Sequence, residues 1–346
     1  MMEGRCQRTV GAASPIIRIT LGVVMPILRW IPIAVLSLWA TAATAQNVVM
    51  AHTLSSTSHY GLGVKAFAEK LNELSNGKYQ VTEAPAGQLG GERDLIEGLQ
   101  IGSVDLAIVA SAPLANFVPE ISIFDLPFLF KDYEHARTVL DGEIGDELLQ
   151  KVDEHGLQAL AWSENGFRNL TNSKHAVSEP ADLVGLKIRT MENRLQMAAF
   201  AGMGASPTPM AFNELIPALQ QGVVDGQENP LTVITSSRMW EVQKYFSATR
   251  HVYSPAIILA SPSLYDGLSD EEKRWFREAA QASVAATRAE VTRLEASGVE
   301  MLKAHGMTVT TDIDRAAFAK AAEAASYELY TDPFGTGLID QIKAAE

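Results

Sequence analysis

The stretch "LIPALQQGVVDGQENP", Leu215–Pro230, repeats much of what "LIEGLQIGSVDLAI", Leu95–Ile108, has already said. Aligned at Leu95 and Leu215, the first eleven positions share Leu, Ile, Leu, Gln, Gly, Val and Asp, seven identities at an offset of 120 residues. Each copy reads as a helix that ends on a glycine, Gly102 or Gly222, and then turns directly into a buried strand. Glycine suits the left-handed position that follows a helix C-terminus. Two such junctions predict two similar α/β lobes, with a ligand cleft where their strand ends meet. The competing reading is that two unrelated helix-to-strand junctions share the same local grammar.

The flanking sequence supports the repeat. "NVVMAHT" from Asn47 reads as a strand, Tyr60 to Leu74 as an amphipathic helix, and "KYQVTEAP" from Lys78 as a strand after an Asn76-Gly77 turn. Helix "ERDLIEGLQIG" and strand "VDLAIVAS" complete a β-α-β-α-β rhythm, that of a mostly parallel sheet. The rhythm returns later with "LVGLKIRT" as a strand, "NRLQMAAFAGM" as a helix, "PTPM" as a connection and "FNELIPALQQG" as a helix. "VVDGQENP" then supplies a strand and its exit loop, and "WSENGFRNLTN" reads as a polar and aromatic loop entering the second lobe. The last third is helical: from Ser269, with Glu272 forming a capping box, an amphipathic pattern runs to Gly306. A helix of that length can brace both lobes. No Pro-rich linker separates the lobes, so strands and helices of the sheet must connect them.

Composition narrows the chemistry. Before Gln46, four arginines and Glu3 accompany an apolar run, Trp30 to Trp39, that is too short to span a bilayer and ends in Ala43-Thr44-Ala45. These are the features of a secretory leader cleaved after Ala45, and Met25 offers an alternative, more compact start. Cys6, the only cysteine, lies in the leader, so the mature chain is expected to be a periplasmic protein with neither disulfide nor lipid anchor. The chain's 28 basic and 41 acidic residues, less Arg5, Arg8, Arg18, Arg29 and Glu3, leave 24 against 40, a net charge of −16. Such a surface repels nucleic acid and anionic lipid.

Motifs of catalysis are thin. "GLGVKA", Gly61–Ala66, fits a dinucleotide fingerprint only loosely, because the gap after the preceding strand is long and filled with Ser and Thr. The seven histidines include no pair at i, i+3 or i+4, and no G-x-S-x-G elbow is present. Neither a cofactor nor a metal is expected. What remains are polar residues at strand edges: Arg189 ending "GLKIRT", Arg168 in "NGFRN", and Asn229 in "QENP". Arginines there ordinarily have a carboxylate partner within the fold. If both converge on one cleft of so acidic a protein, they make a local positive spot for an anion, and a guanidinium's planar fork matches a carboxylate.

At these residues the chain resembles the extracytoplasmic solute-binding proteins of TRAP transporters, the DctP family of C4-dicarboxylate-binding type. The likeness runs from "GKYQVTEAPAGQLGGERDLIEGLQIGSVDLAI" through "PEISIFDLPFLF" and "GLKIRT" to "GASPTPMAFNELIPALQQGVVDGQENP". It implies an α/β fold of two lobes hinged about a cleft and spanned by one long helix. It also implies capture of an organic acid for delivery to small and large membrane subunits. The corresponding division is a leader over 1–45, a first lobe over 46–166, a second over 167–254, a return to the first over 255–294, and C-terminal helices over 295–346 packing on the second. The chain is expected to be a monomer.

Carried over by position, the resemblance implies that Arg189 grips the ligand carboxylate, with Arg168 and Asn229 beside it and His52, Glu92 and Phe212 in contact with the ligand. Ala110 and Ser111 stand where sialic-acid binders carry a glutamate, which argues against that ligand and makes Ser111 and Glu192 candidates for its distal end. Glu92 and Glu192 as hydroxyl acceptors favour a sugar acid or other hydroxy-carboxylate; a C4-dicarboxylate, its second carboxylate on Arg168, is the alternative. A secreted enzyme using Glu92 as base is the remaining class.

Overall fold

The computed structural model describes Arg18 and residues 45–345. Apart from Arg18 and Ala45, the expected leader over 1–45, with Met25 and Cys6, lies outside the described residues.

The described chain opens on β1 (Gln46–Ala51), α1 (His59–Leu74), β2 (Tyr79–Ala84), α2 (Glu92–Ile101) and β3 (Leu106–Ala110). Gly102, at φ 75°, closes α2 in the left-handed conformation and feeds β3, every residue of which is buried. After α3 (Ser111–Leu114) and a 3₁₀ stretch, Pro119–Asp125, come α4 (Tyr133–Asp141), α5 (Glu143–Glu154) and the long β4 (Gln158–Asn172). The second unit follows as β5 (Lys187–Thr190), α6 (Arg194–Gly202), β6 (Ser206–Pro209), α7 (Phe212–Gln221) and β7 (Gly226–Pro230). Gly222 ends α7 at φ 70°, as Gly102 ends α2, so the repeated sequence builds a repeated junction. The chain returns through α8 (Leu231–Ser236) and the long β8 (Tyr245–Ala260), then α9 (Pro262–Tyr265), α10 (Asp270–Ala304), β9 (Thr308–Thr310), α11 (Arg315–Phe334) and α12 (Gly337–Ala344).

One sheet runs through both lobes in the order β2-β1-β3-β8-β4-β7-β5-β6, with β9 on β8. The strands β1, β2 and β3 pair parallel, as do β5, β6 and β7. β4 and β8 pair antiparallel and belong to both groups: the end of β8 lies on β3, and the end of β4 lies on β7. Their ladder slips between Glu164 and Gly166 and again between Arg168 and Leu170. Gly166 takes φ +118°, a conformation that disfavours any other residue, and a Cβ there would sit 2.8 Å from the Tyr133 hydroxyl.

Several local readings change. "WSENGFRNLTN" is the C-terminal part of β4 rather than a loop; its residues are buried, and Asn165-Gly166 makes a bulge inside a strand instead of a turn. "PTPM" holds most of β6, which pairs with β5 at the open end of the sheet, where two prolines are tolerated. Only Lys187–Thr190 of "LVGLKIRT" is strand, the residues before it belonging to a 3₁₀ turn and its exit. Gly61 and Gly63 of "GLGVKA" lie within α1, where space for close packing explains them.

The long helix is capped as its sequence indicates: Ser269 Oγ accepts from the Glu272 amide, and Glu272 Oε2 accepts from the Ser269 amide at 2.8 Å. Its first half buries Phe276, Ala280 and Val284 with Tyr60, Val64 and Phe67 of the first lobe; Leu302 packs with Leu231 and Phe246 of the second. The C-terminal helices depart from the expected packing. α11 starts against the second lobe through Phe318 and Ala322, but Tyr330 and, on α12, Ile339 and Ile342 sit in the first lobe's core. The 20 residues of α11 are long enough to reach from one core to the other, and on α12 the Ile342 carbonyl lies 2.7 Å from His135 Nε2.

Candidate functional site

The strand ends and helix starts of both lobes surround a small cavity of about 20 Å³. Tyr60 of α1, Leu54, Glu92 at the first turn of α2 and Ala110 at the end of β3 line it from one side. Arg189 of β5, Met191, Phe212 at the start of α7, Asn229 of β7 and Val233 of α8 line it from the other, with Asn165 of β4 between.

Arg189 is 2% exposed, yet among the described residues it forms no ion pair. Its Nε and Nη2 both donate to the Met210 carbonyl, at 3.0 and 2.7 Å, and Nη1 is buried without a hydrogen-bond partner. Burial lowers its pKa to about 10, against the pull of Glu228 and Glu92, so the guanidinium stays charged at neutral pH.

Arg168 behaves differently. Its Nε lies 2.5 Å from Glu228 Oε2, and Nη2 donates to Glu228 Oε1 at 2.8 Å and to Asn229 Oδ1 at 3.1 Å, leaving Nη1 unpartnered. Burial would push the Glu228 carboxyl up, but Arg168 and His251 hold it down at about 2. The ion-pair reading therefore describes Arg168, and a bound ligand is left with one nitrogen of it. Asn229 Nδ2 donates to Gln227 Oε1 at 2.5 Å, which fixes the amide plane.

Glu92 accepts the Ala110 N–H at 2.8 Å; burial raises its pKa, while that hydrogen bond and the two arginines lower it. Of the residues singled out in the sequence, Arg189, Asn229, Glu92 and Phe212 line one cavity, and Arg168 stands directly behind Asn229. The other three do not line it. His52 is buried with Nε2 2.9 Å from Glu83 and its ring edge-on to Tyr60; Ser111 is buried with an unpartnered hydroxyl; Glu192 offers its carbonyl to Asn116 Nδ2 at 2.7 Å. Thr53, Leu54, Tyr60, Asn165, Met191 and Val233 also line it, although composition and spacing gave none of them a role. Asn165 was hidden because Asn-Gly reads as a turn.

The described residues hold no cluster suited to a metal ion, and none of their helices is long and apolar enough to cross a membrane. Two α/β lobes sharing one sheet, a brace helix and an enclosed cleft with a buried cation define a ligand-capture protein of the periplasmic type. The chain belongs to the bacterial extracellular solute-binding proteins of family 7, whose sequence profile matches residues 50–332. A TRAP periplasmic solute-binding protein from Bordetella bronchiseptica, with density assigned to pantoate, is 51% identical with a TM-score of 0.85, covering 87% of this chain and 99% of its own. A TRAP solute-binding protein from Polaromonas sp. JS666, bound to D-erythronate, is 46% identical with the same score and coverage. A solute-binding protein of Verminephrobacter eiseniae is 45% identical over 307 residues, 89% of this chain and 91% of its own.

Proposed function

We propose that the protein captures a small hydroxylated monocarboxylate in the periplasm and delivers it to the small and large membrane subunits of a TRAP transporter. Arg189 carries this reading: a charged guanidinium buried beside a cavity, with no carboxylate of its own among the described residues, is complete only when an anion arrives. Removal of residues 1–45 as an export leader and a monomeric mature chain belong to the same proposal. So does a hinge where β4 and β8 leave the first lobe, near Gly166 and Ser254, which face each other across the ladder.

The site favours one carboxylate over two. Arg168, the candidate for holding a second, is already committed to Glu228. Glu92 places a further acidic group on the cavity wall. D-erythronate and pantoate, the ligands of the two solved relatives, are both hydroxylated monocarboxylates.

Thermal-shift and calorimetric titration against a panel of sugar acids, hydroxy acids and C4-dicarboxylates tests the reading. Arg189→Ala is expected to cost about 2–5 kcal/mol of binding, because it leaves the ligand's carboxylate buried without its partner. That is a loss of roughly thirty-fold to several thousand-fold in affinity. Arg189→Lys keeps the charge but not the fork, and is expected to bind markedly less well than the unsubstituted protein. Unchanged affinity in Arg189→Lys would overturn the assignment, and turnover of a panel acid would overturn capture itself.

A further inference from the structure

Tyr60 has no part in anchoring a carboxylate, yet its surroundings are those of a binding group. It stands in the first turn of α1, 1% exposed, on the cavity wall, and its hydroxyl is buried without a hydrogen-bond partner among the described residues. A buried hydroxyl left unpaired is unfavourable, so the position is maintained against a cost. Its ring is held by two imidazoles, His59 at 4.5 Å and tilted, His52 at 6.1 Å and edge-on. Both use Nε2 elsewhere, His59 with Asn165 at 3.1 Å and His52 with Glu83 at 2.9 Å, and neither bonds the phenol. The histidines thus orient the ring and leave its hydroxyl free.

Burial pushes the pKa of that hydroxyl well up and keeps the proton on it; Glu92 on the cavity wall adds to the rise, and Arg168, behind Asn229, opposes it more weakly. Glu92 uses Oε1 to accept the Ala110 amide, and its other oxygen makes no hydrogen bond among the described residues. A phenol with a proton to donate and a carboxyl oxygen free to accept one therefore share one cavity wall.

We propose that Tyr60 is a selectivity residue: its hydroxyl donates to a hydroxyl group of the bound acid, and that group donates in turn to Glu92. A hydroxyl accepts and donates together through one small atom. A hydrogen or methyl in its place leaves both protein groups unpaired, and a carboxylate meets the like charge of Glu92. The inference rests on the organic-acid reading above and adds to it the demand for a hydroxyl at one place along the ligand.

Calorimetric titration of the unsubstituted protein and Tyr60→Phe tests it. The probe is D-erythronate, or whichever hydroxy acid of the panel binds most tightly, together with its monodeoxy analogues. Tyr60→Phe is expected to weaken the hydroxy acid about 5- to 150-fold. One monodeoxy analogue is expected to bind the unsubstituted protein that much less well and to lose nothing further in Tyr60→Phe. Equal affinity of the two proteins for the hydroxy acid overturns the proposal, as does an equal loss for the hydroxy acid and every analogue, which is the signature of disturbed packing. Should Tyr60→Phe not fold, Glu92→Gln serves, and must lose the preference for the hydroxy acid over the same analogue. A tightest binder without any hydroxyl also overturns the proposal, whereas no binding to any panel acid strikes the underlying organic-acid reading.

Discussion

Two arginines of one sheet illustrate how far residue type alone can mislead. Arg168 on β4 and Arg189 on β5 both end up almost fully buried on either side of β7, but only the first is neutralised from within, by the residue next to Asn229 on β7. The Glu228 carboxyl is held at about 2, below the ordinary carboxylate range. A depressed carboxylate stabilises the fold fully above its unfolded value, and that stability is lost as pH falls from there toward about 2. Glu228→Gln strips Arg168 of its charge partner and is expected to cost about 3–5 kcal/mol at neutral pH. It should also flatten the acid limb of stability across that window. Denaturant melts of both proteins between neutral pH and pH 2 check this; parallel pH profiles would show that the pair does not tie stability to pH. Glu228 lies inside the quoted repeat, but no spacing rule marks it as a partner for Arg168, which sits 60 residues earlier and meets it only across the β4–β7 ladder.

The start of α1 shows what an element demands of its sequence. A Cβ built on Gly61 would lie 2.2 Å from the Ser56 carbonyl oxygen; one on Gly63 would lie 2.7 Å from Thr287 Oγ1 and 2.8 Å from Ser283 Oγ of α10. Alanine is the better helix former by about 1 kcal/mol. Overpacking of about 1–3 kcal/mol is nevertheless expected to outweigh that gain. Gly61→Ala should lower the melting temperature more than Gly63→Ala, since the backbone cannot step aside as a hydroxyl can. A Gly61→Ala protein that melts at or above the unsubstituted one would refute the close approach. Elements like α2, α7 and α10 were legible because periodicity, a glycine stop and a capping box act within a few residues. β4 was not, since Asn165-Gly166 carries a turn signal that only the partner strand β8 turns into a bulge. The prolines of β6 hid a strand in the same way, because their tolerance depends on an edge that exists only once the sheet is assembled. Within the cavity, charged residues were legible and apolar lining such as Val233 was not: any buried valine looks alike along the chain.

At the scale of the molecule, two strands and one long helix are shared by both lobes, so relative motion has to be bending of a continuous sheet at its irregular rungs rather than a swing on a free linker. A ligand held by groups from both sides favours the form in which those groups converge. Small-angle scattering is expected to give a smaller radius of gyration with a saturating acid than without it; an unchanged radius would remove closure from the mechanism. The same sharing has a consequence for the order in which the protein is made. β3 is finished at residue 110, but the strand that covers its open side is Ala256–Ala260, and the helix that covers α1 comes later still. A chain emerging N-terminus first from a ribosome or a secretion pore therefore cannot complete its first lobe until most of its length is out. Until then the bare β3 edge is the surface that needs shielding.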